Sequence, residues 1–171
     1  MARETIRPAA AADADAIHAA LLDLARDIGL EGKVSSTADD IRRHGFGPDP
    51  AFEAILAEAE GSVVGLCLFF RSFSTWKGRP GTYVQDLYVA EGHRGAGLAR
   101  RLLAAVAALT RARGGAYLRL SVDAGNAPAQ NFYSKIGFEW SARERIHTLG
   151  GPAFEALGTI PEERDHHGDA R

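Results

Sequence analysis

The chain has 171 residues, a formal net charge of −2 and one cysteine. That length suits a single domain able to bury a core without disulfide staples. The charge gives no global electrostatic case for nucleic acid or an anionic membrane, and a lone thiol excludes an intrachain disulfide.

In chain order, Thr5 to Arg7 reads as a short strand. Ala9 to Ile28 reads as a helix, with Ile17, Leu21, Leu24 and Ile28 on one face and Asp13 and Asp15 near its positive end. Gly29 and Gly32 end it. Ser35 to His44 is a second helix, capped by Ser36 or Thr37 and stopped by Gly45. Phe52 to Glu58 and Ser62 to Phe73 form a hairpin turning at Glu60-Gly61. The second strand is apolar on both faces over VVGLCLFF and belongs in the middle of a sheet, with Cys67 as a small buried hydrophobe. STWKGRPGT, 74–82, reads as a loop. A strand over 83–89 follows. After a polar glycine turn, a helix runs to about Arg113 with Leu98, Leu102, Val106 and Leu109 as its core stripe, stopped by Gly114-Gly115. Tyr117 to Val122 is another strand. Ala127 to Ile136 is a short helix with Pro128 in its first turn, ending at Gly137. Phe138 to Trp140 and Arg143 to Leu149 are expected as terminal strands, and 158–171 as a polar tail after one domain, 1–157. The reading is α+β, a mixed sheet with helices.

No stretch approaches the about 20 apolar residues of a membrane span. The start, MARETIRPAAAADADAIHAA, lacks the unbroken apolar run of a secretory leader. A cytoplasmic location is expected, with no membrane or nucleic-acid partner. His166-His167 has no further ligand at metal spacing, so no metal is expected.

The chemistry concentrates in YVQDLYVAEGHRGAGLARRLL, 83–103. A strand, a glycine turn and a helix start in that order make an anion site: free N–H groups and the helix dipole converge, and small residues allow phosphate oxygens close. Arg94, Gly95, Ala96, Gly97 and Ala99 meet that demand, with Leu98 opening the helix. G-x-G-x-x-R is not a dinucleotide fingerprint, and the G-K-[ST] of a triphosphate loop is absent. Downstream, VDAGNAPAQNFYSKIGF sets Asn126 and Tyr133 two turns apart on one helix face.

R-x-x-G-x-A at Arg94, Gly97 and Ala99, with N-x-x-A-x-x-x-Y-x-x-x-G-F from Asn126 to Phe138, resembles the GNAT superfamily of acyl-CoA-dependent N-acetyltransferases. The likeness spans Ile6 to about Phe154. FFRSFSTWKGRPGTYVQDLYV resembles its diamine (spermidine/spermine) acetyltransferase branch. The resemblance implies the GNAT fold: a mixed, mostly antiparallel central sheet with helices on both faces and a splayed parallel strand pair, 83–89 and 117–122, that binds acetyl-CoA. Leu87, Tyr88 and Val89 are implied to pair with the pantetheine arm as an added strand. The N–H groups from Arg94 to Ala99 are implied to hold the diphosphate, helped by Arg100 and Arg101. Asn126 bonds the pantetheine or caps its helix.

The implied reaction is direct attack of a small-molecule amine on the thioester. An alkyl ammonium has a pKa of about 10, so a base is expected, and the departing thiolate needs a proton. Tyr133 matches the family's general acid. Gln85 stands where the branch carries a glutamate base, and an amide cannot take that proton. Gln85 orients a water, or Asp86 acts from the opposite strand face, or the amine has a lower pKa. Asp86 suits the far ammonium of a diamine, and Trp76 suits a wall of the amine site. The substrate expected is a polyamine, diamine or lysine-like amino acid. A protein or peptide N-acetyltransferase and a non-catalytic acetyl-CoA sensor stand as alternatives. The resemblance also implies a homodimer, for which Ile146, Leu149 and Phe154 offer apolar surface.

Overall fold

A computed structural model describes residues 4–158; most of the expected tail, 158–171, and its histidines lie outside the described residues. Strands β1 (Thr5–Pro8), β2 (Glu53–Ala59), β3 (Ser62–Ser74), β4 (Arg79–Val89) and β5 (Leu118–Leu120) form a five-stranded sheet in that order. All neighbours are antiparallel except the parallel pair of β4 and β5. Helices α1 (Ala14–Asp27), α2 (Ala38–Phe46), α3 (Leu98–Ala112), α4 (Ala127–Lys135) and α5 (Pro152–Gly158) complete the described chain. The chain divides into two compact units between Gln130 and Asn131.

In the first unit the strand period sorts the core. Ala54, Leu56, Leu66, Leu68 and Tyr88 cluster with Ala14, Ile17 and Ala20 of α1 and Ile41 of α2. The intervening residues face α3. A Cβ on Gly65 would stand 3.1 Å from the Leu102 side chain and 3.2 Å from that of Ala57, so glycine lets α3 settle directly on the sheet. Leu98, Leu102, Leu103 and Val106 are the buried stripe of α3. Cys67 is fully buried in the central strand, and burial pushes its thiol up to about 12.

Several boundaries differ from the sequence reading. A 3-10 turn, Ala11–Asp13, precedes α1. There the Asp13 carboxylate accepts from the Ala10 N–H at 2.7 Å and binds Arg7, so the helix proper opens at Ala14. Thr37 caps α2 in a reciprocal box with Asp40. Gly45 does not stop α2. It lies inside the helix where a Cβ would come within 2.6 Å of the Phe52 ring, and Phe46 is the last helical residue. The expected loop 74–82 is a hairpin: β3 reaches Ser74, β4 starts at Arg79, and Gly78 turns the chain at φ +59°.

The second unit is described from Asn131 to Gly158. The terminal strands expected at Phe138–Trp140 and Arg143–Leu149 are not formed; 138–150 is irregular and mostly exposed, and α5, which sequence reasoning missed, follows.

Candidate active site

β4 and β5 pair only over Thr82–Leu118, Tyr83–Arg119 and Val84–Leu120. Beyond Val84, the edge of β4 from Gln85 to Val89 has no strand partner on that side among the described residues. The two strands therefore open a V towards the start of α3, and an extended ligand can complete the open ladder.

The closed end of the V is heavily tied. The Thr82 N–H donates to the Tyr117 carbonyl at 3.0 Å and the Ala116 N–H to the Pro80 carbonyl at 2.9 Å. Tyr117 lays its ring against Gly81 and exchanges a 3.0 Å hydrogen bond with Ser72 on β3. Thr82 and Thr110 share a buried 2.7 Å bond that fixes α3 to β4. No signal in the sequence marks these ties, because Gly81 reads there as a loop residue.

At the open end, a short 3-10 turn, Glu91–His93, leads to Gly95 (φ +78°) and Gly97 (φ +80°). Only residues tolerant of the left-handed region suit those positions. The first backbone bond of α3 runs from the Arg101 N–H to the Gly97 carbonyl at 3.1 Å. The N–H groups from Gly95 to Arg100 make no backbone bond among the described residues, and α3 has no side-chain cap. A Cβ on Gly95 or Gly97 would meet nothing within 4 Å, so the turn is open. The run of free N–H groups is one residue shorter than expected, because the Arg94 N–H already donates to the Glu91 carbonyl at 3.2 Å. The Arg94 guanidinium pairs with Asp27 of α1 and donates to the Val89 carbonyl at 2.8 Å, so it braces the turn. Arg101 and His93 both bind Glu4, at 2.6 and 3.1 Å, which holds that carboxyl down to about 2, chiefly through Arg101. Arg100 is exposed and forms no ion pair among the described residues.

Between the two ends lies Gln85. Leu68 pairs with Asp86 and Phe69 with Val84, so Gln85 is the extra residue of a β-bulge. A bulge interrupts alternation and re-aims side chains, so the opposite-face relation of Gln85 and Asp86 expected for a regular strand does not hold. Gln85 is exposed. Asp86 is half-buried on the face of Leu68, and burial pushes its carboxyl above the ordinary range. Leu87 and Val89 are half-buried; Tyr88 is buried against α1 and its hydroxyl donates to Asp23 at 3.3 Å. Trp76 is 97% exposed at the tip of the β3–β4 hairpin. Along β3, the Ser74 level of that tip is about 20 Å from the Leu68 level of Asp86, so the chain does not bring Trp76 and Asp86 together. Asn126 caps α4: its side-chain oxygen accepts from the Ala129 N–H at 3.1 Å. Tyr133 sits later on α4, half-buried and edge-on to Phe132 and Phe138, with ring centroids 5.1 and 5.4 Å away. Among the described residues no group of His, Cys, Asp and Glu is placed to hold a metal, and no helix is long and apolar enough to cross a membrane.

A strand splayed from its parallel neighbour, ending in a glycine turn with free N–H groups, is the arrangement that the motif resemblance implies. The model of the acetyltransferase (GNAT) family matches residues 18–138. The chain belongs to the GNAT family. It is therefore an acetyltransferase, and the mixed sheet with its one parallel pair is the GNAT fold. Mouse thialysine N-epsilon-acetyltransferase is 33% identical over 95% of this GNAT chain and 98% of its own length. Human spermidine/spermine N(1)-acetyltransferase-like protein 1 is 25% identical over 92% of the chain but 24% of its own length, and both likenesses fit the diamine acetyltransferase branch. Among solved structures, a Vibrio cholerae integron cassette protein superposes with a TM-score of 0.78 at 19% identity, over 92% of this chain and 98% of that one, a likeness of fold alone.

Proposed function

We propose that this GNAT enzyme acetylates a primary amine of a small molecule: a polyamine, a diamine or a lysine-like amino acid. The observation that carries the reading is the unpaired edge of β4 from the Gln85 bulge to Val89, followed after one 3-10 turn by the free N–H groups of Gly95–Arg100. It suits an extended arm ending in a diphosphate, and acetyl-CoA, when bound, supplies an activated acetyl thioester. The relative named for thialysine, a short amino acid with a side-chain amine, supports the substrate class.

In this reading the backbone of Leu87, Tyr88 and Val89 holds the arm as an added strand. The N–H groups of Gly95, Ala96, Gly97, Leu98, Ala99 and Arg100 take the diphosphate oxygens, with the α3 dipole behind them and the Arg100 side chain alongside. Arg94 keeps the turn in place. Asn126 uses its oxygen as a helix cap and keeps its amide N–H for the arm. Gln85, at the bulge, orients a water that carries away the amine's proton. Asp86 receives the far ammonium as a charge-assisted pair. The neutral amine then forms the new C–N bond as the C–S bond breaks; the Tyr133 hydroxyl donates its proton to the departing thiolate, and the proton shed by the acylated nitrogen, relayed by water, restores the hydroxyl.

The reading includes a homodimer. Trp140, Ile146, Leu149 and Phe154 expose between 50% and 89% of their surface, which a monomer rarely leaves bare together. Elution at the monomer mass in light scattering at micromolar concentration would remove that part.

Calorimetric titration with acetyl-CoA, alongside thiol release by wild type and Tyr133→Phe, tests the mechanism. The expected result is equal acetyl-CoA affinity and turnover lowered by about 100-fold or more in the variant. Equal turnover removes Tyr133 from the chemistry.

A further inference from the structure

Beside Asp86 lies a feature that the reading above does not use. Phe70 of β3 and Tyr83 of β4 are cross-strand partners whose rings stack at 5.1 Å with an interplanar angle of 18°. Their face follows from the register. Leu66 and Leu68 point towards α1, together with Tyr88, the partner of Leu66. Asp86 is the partner of Leu68, and Phe70 is the next residue of β3 on that face. The stacked rings therefore stand one pleat from Asp86, about 7 Å along the strand. They lie beyond the cluster that α1 covers, and both remain half-buried with surface to spare. Tyr83 is held in place at its far end by a 2.7 Å hydroxyl bond with Ser121, just past the last paired residue of β5, where the V begins to open.

Asp86 has no ion pair and no hydrogen-bonding side chain among the described residues. A half-buried carboxylate without a cation beside an apolar ledge is half of a recognition site. The missing half is a cation carried on an apolar stem. The rings offer their tops and edges rather than a free face to the Asp86 side, so the ledge suits methylenes, and the charge belongs at the carboxylate.

We propose that Phe70 and Tyr83 form the specificity ledge of the amine site, covering the methylenes beside the far ammonium while Asp86 pairs with that ammonium. The ligand class is a short unbranched chain with a second cationic end, so the enzyme ranks diamines by length and prefers them to monoamines of equal reach. This inference rests on the acetyl-transfer reading above. It differs from it in naming what measures the linker.

The test is kcat/KM for ethylenediamine, trimethylenediamine, putrescine and cadaverine, against propylamine and butylamine, at one pH. Wild type gains about fourfold per added methylene until the chain outgrows the ledge, the worth of burying one methylene. Phe70→Ala flattens that gain. Asp86→Asn keeps the gain but brings the diamines down to the monoamines. Tyr83→Phe, which keeps the ring and loses only the Ser121 bond, retains the length dependence. Thermal melting confirms that each variant is folded, and Phe70→Leu replaces Phe70→Ala if the hairpin loosens. An unchanged length dependence in folded Phe70 variants, or an unchanged diamine preference in Asp86→Asn, overturns the proposal. If none of these amines makes wild type release thiol, the acetyl-transfer reading fails on its own. The same diamine series is then followed by calorimetric binding, where a length dependence lost in the Phe70 variant upholds the ledge and a flat series overturns it.

Discussion

Gly81→Ala probes the closed end of the V, where the substrate cleft is anchored. Gly81 is buried in β4 and its φ is not among the positive ones, so the backbone itself accepts alanine. The obstacle is the Tyr117 ring. A Cβ at Gly81 would lie 2.5 to 2.6 Å from three ring atoms. The ring has to retreat by about 1 Å to reach ordinary contact. Overpacking of that kind costs about 1–3 kcal/mol. Moving the ring also strains the hydrogen bond between Tyr117 and Ser72, worth about 1 kcal/mol. The expected destabilisation is therefore about 2–4 kcal/mol, a large part of the total stability of a domain. Urea unfolding measures it as a shift in midpoint at unchanged slope. The decisive comparison is the double-mutant cycle with Tyr117→Ala. Without the ring, Gly81→Ala is close to neutral, so the coupling is about 2 kcal/mol or more. The same loss in both backgrounds would refute the packing of Tyr117 over Gly81.

Other expectations concern charge. Gln85→Glu restores an acid at the bulge and raises kcat/KM near neutral pH by about tenfold or more, while the wild-type rate keeps climbing with amine deprotonation; superimposable pH–rate profiles count against a water held at the bulge. Burial raises the Asp86 carboxyl, so stability falls as pH rises from its unfolded to its folded pKa and the full cost persists above both. Asp86→Asn therefore melts higher than wild type at neutral pH, with the gap closing below the carboxylate range; a lower melting temperature at pH 7 contradicts this. Glu4 is held down to about 2 by Arg101 and then His93, so its contribution is complete above its ordinary range and fades as pH falls towards 2. Glu4→Gln flattens that acid limb of the stability curve, and an unaltered limb between pH 4 and 2 argues that the Glu4 ion pairs contribute nothing.

Much of the fold was legible because period and punctuation agreed. The unbroken apolar run of β3 marks a central strand, and the spacing of Leu98, Leu102 and Val106 marks the buried face of α3. The open glycine turn is legible because small residues between a strand and a helix leave N–H groups free. Other features were hidden because they depend on register. Whether Gln85 is a regular strand residue or a bulge turns on which residue of β3 faces it, and no local pattern reveals that. Gly81 and Pro80 read as loop residues, yet the long hairpin and the Tyr117 contact hold them in a strand. Gly45 reads as a helix stop, but its reason is the Phe52 ring across the fold. Trp76 looked like a binding aromatic by neighbourhood in sequence, and the length of the hairpin carries it away from Asp86. Phe70 and Tyr83 were passed over because separate strands contribute them, and only pairing brings their rings together.

The central claim is acetyl transfer to a small amine, and thiol release from acetyl-CoA tests it most directly. The panel is spermidine, putrescine, lysine, thialysine, an aminoglycoside and a histone-like peptide, across pH 6 to 10. The account predicts release with the diamines and lysine-like amino acids, rising with pH, and little with the peptide. Tight acetyl-CoA binding with no release from any of these amines would contradict it.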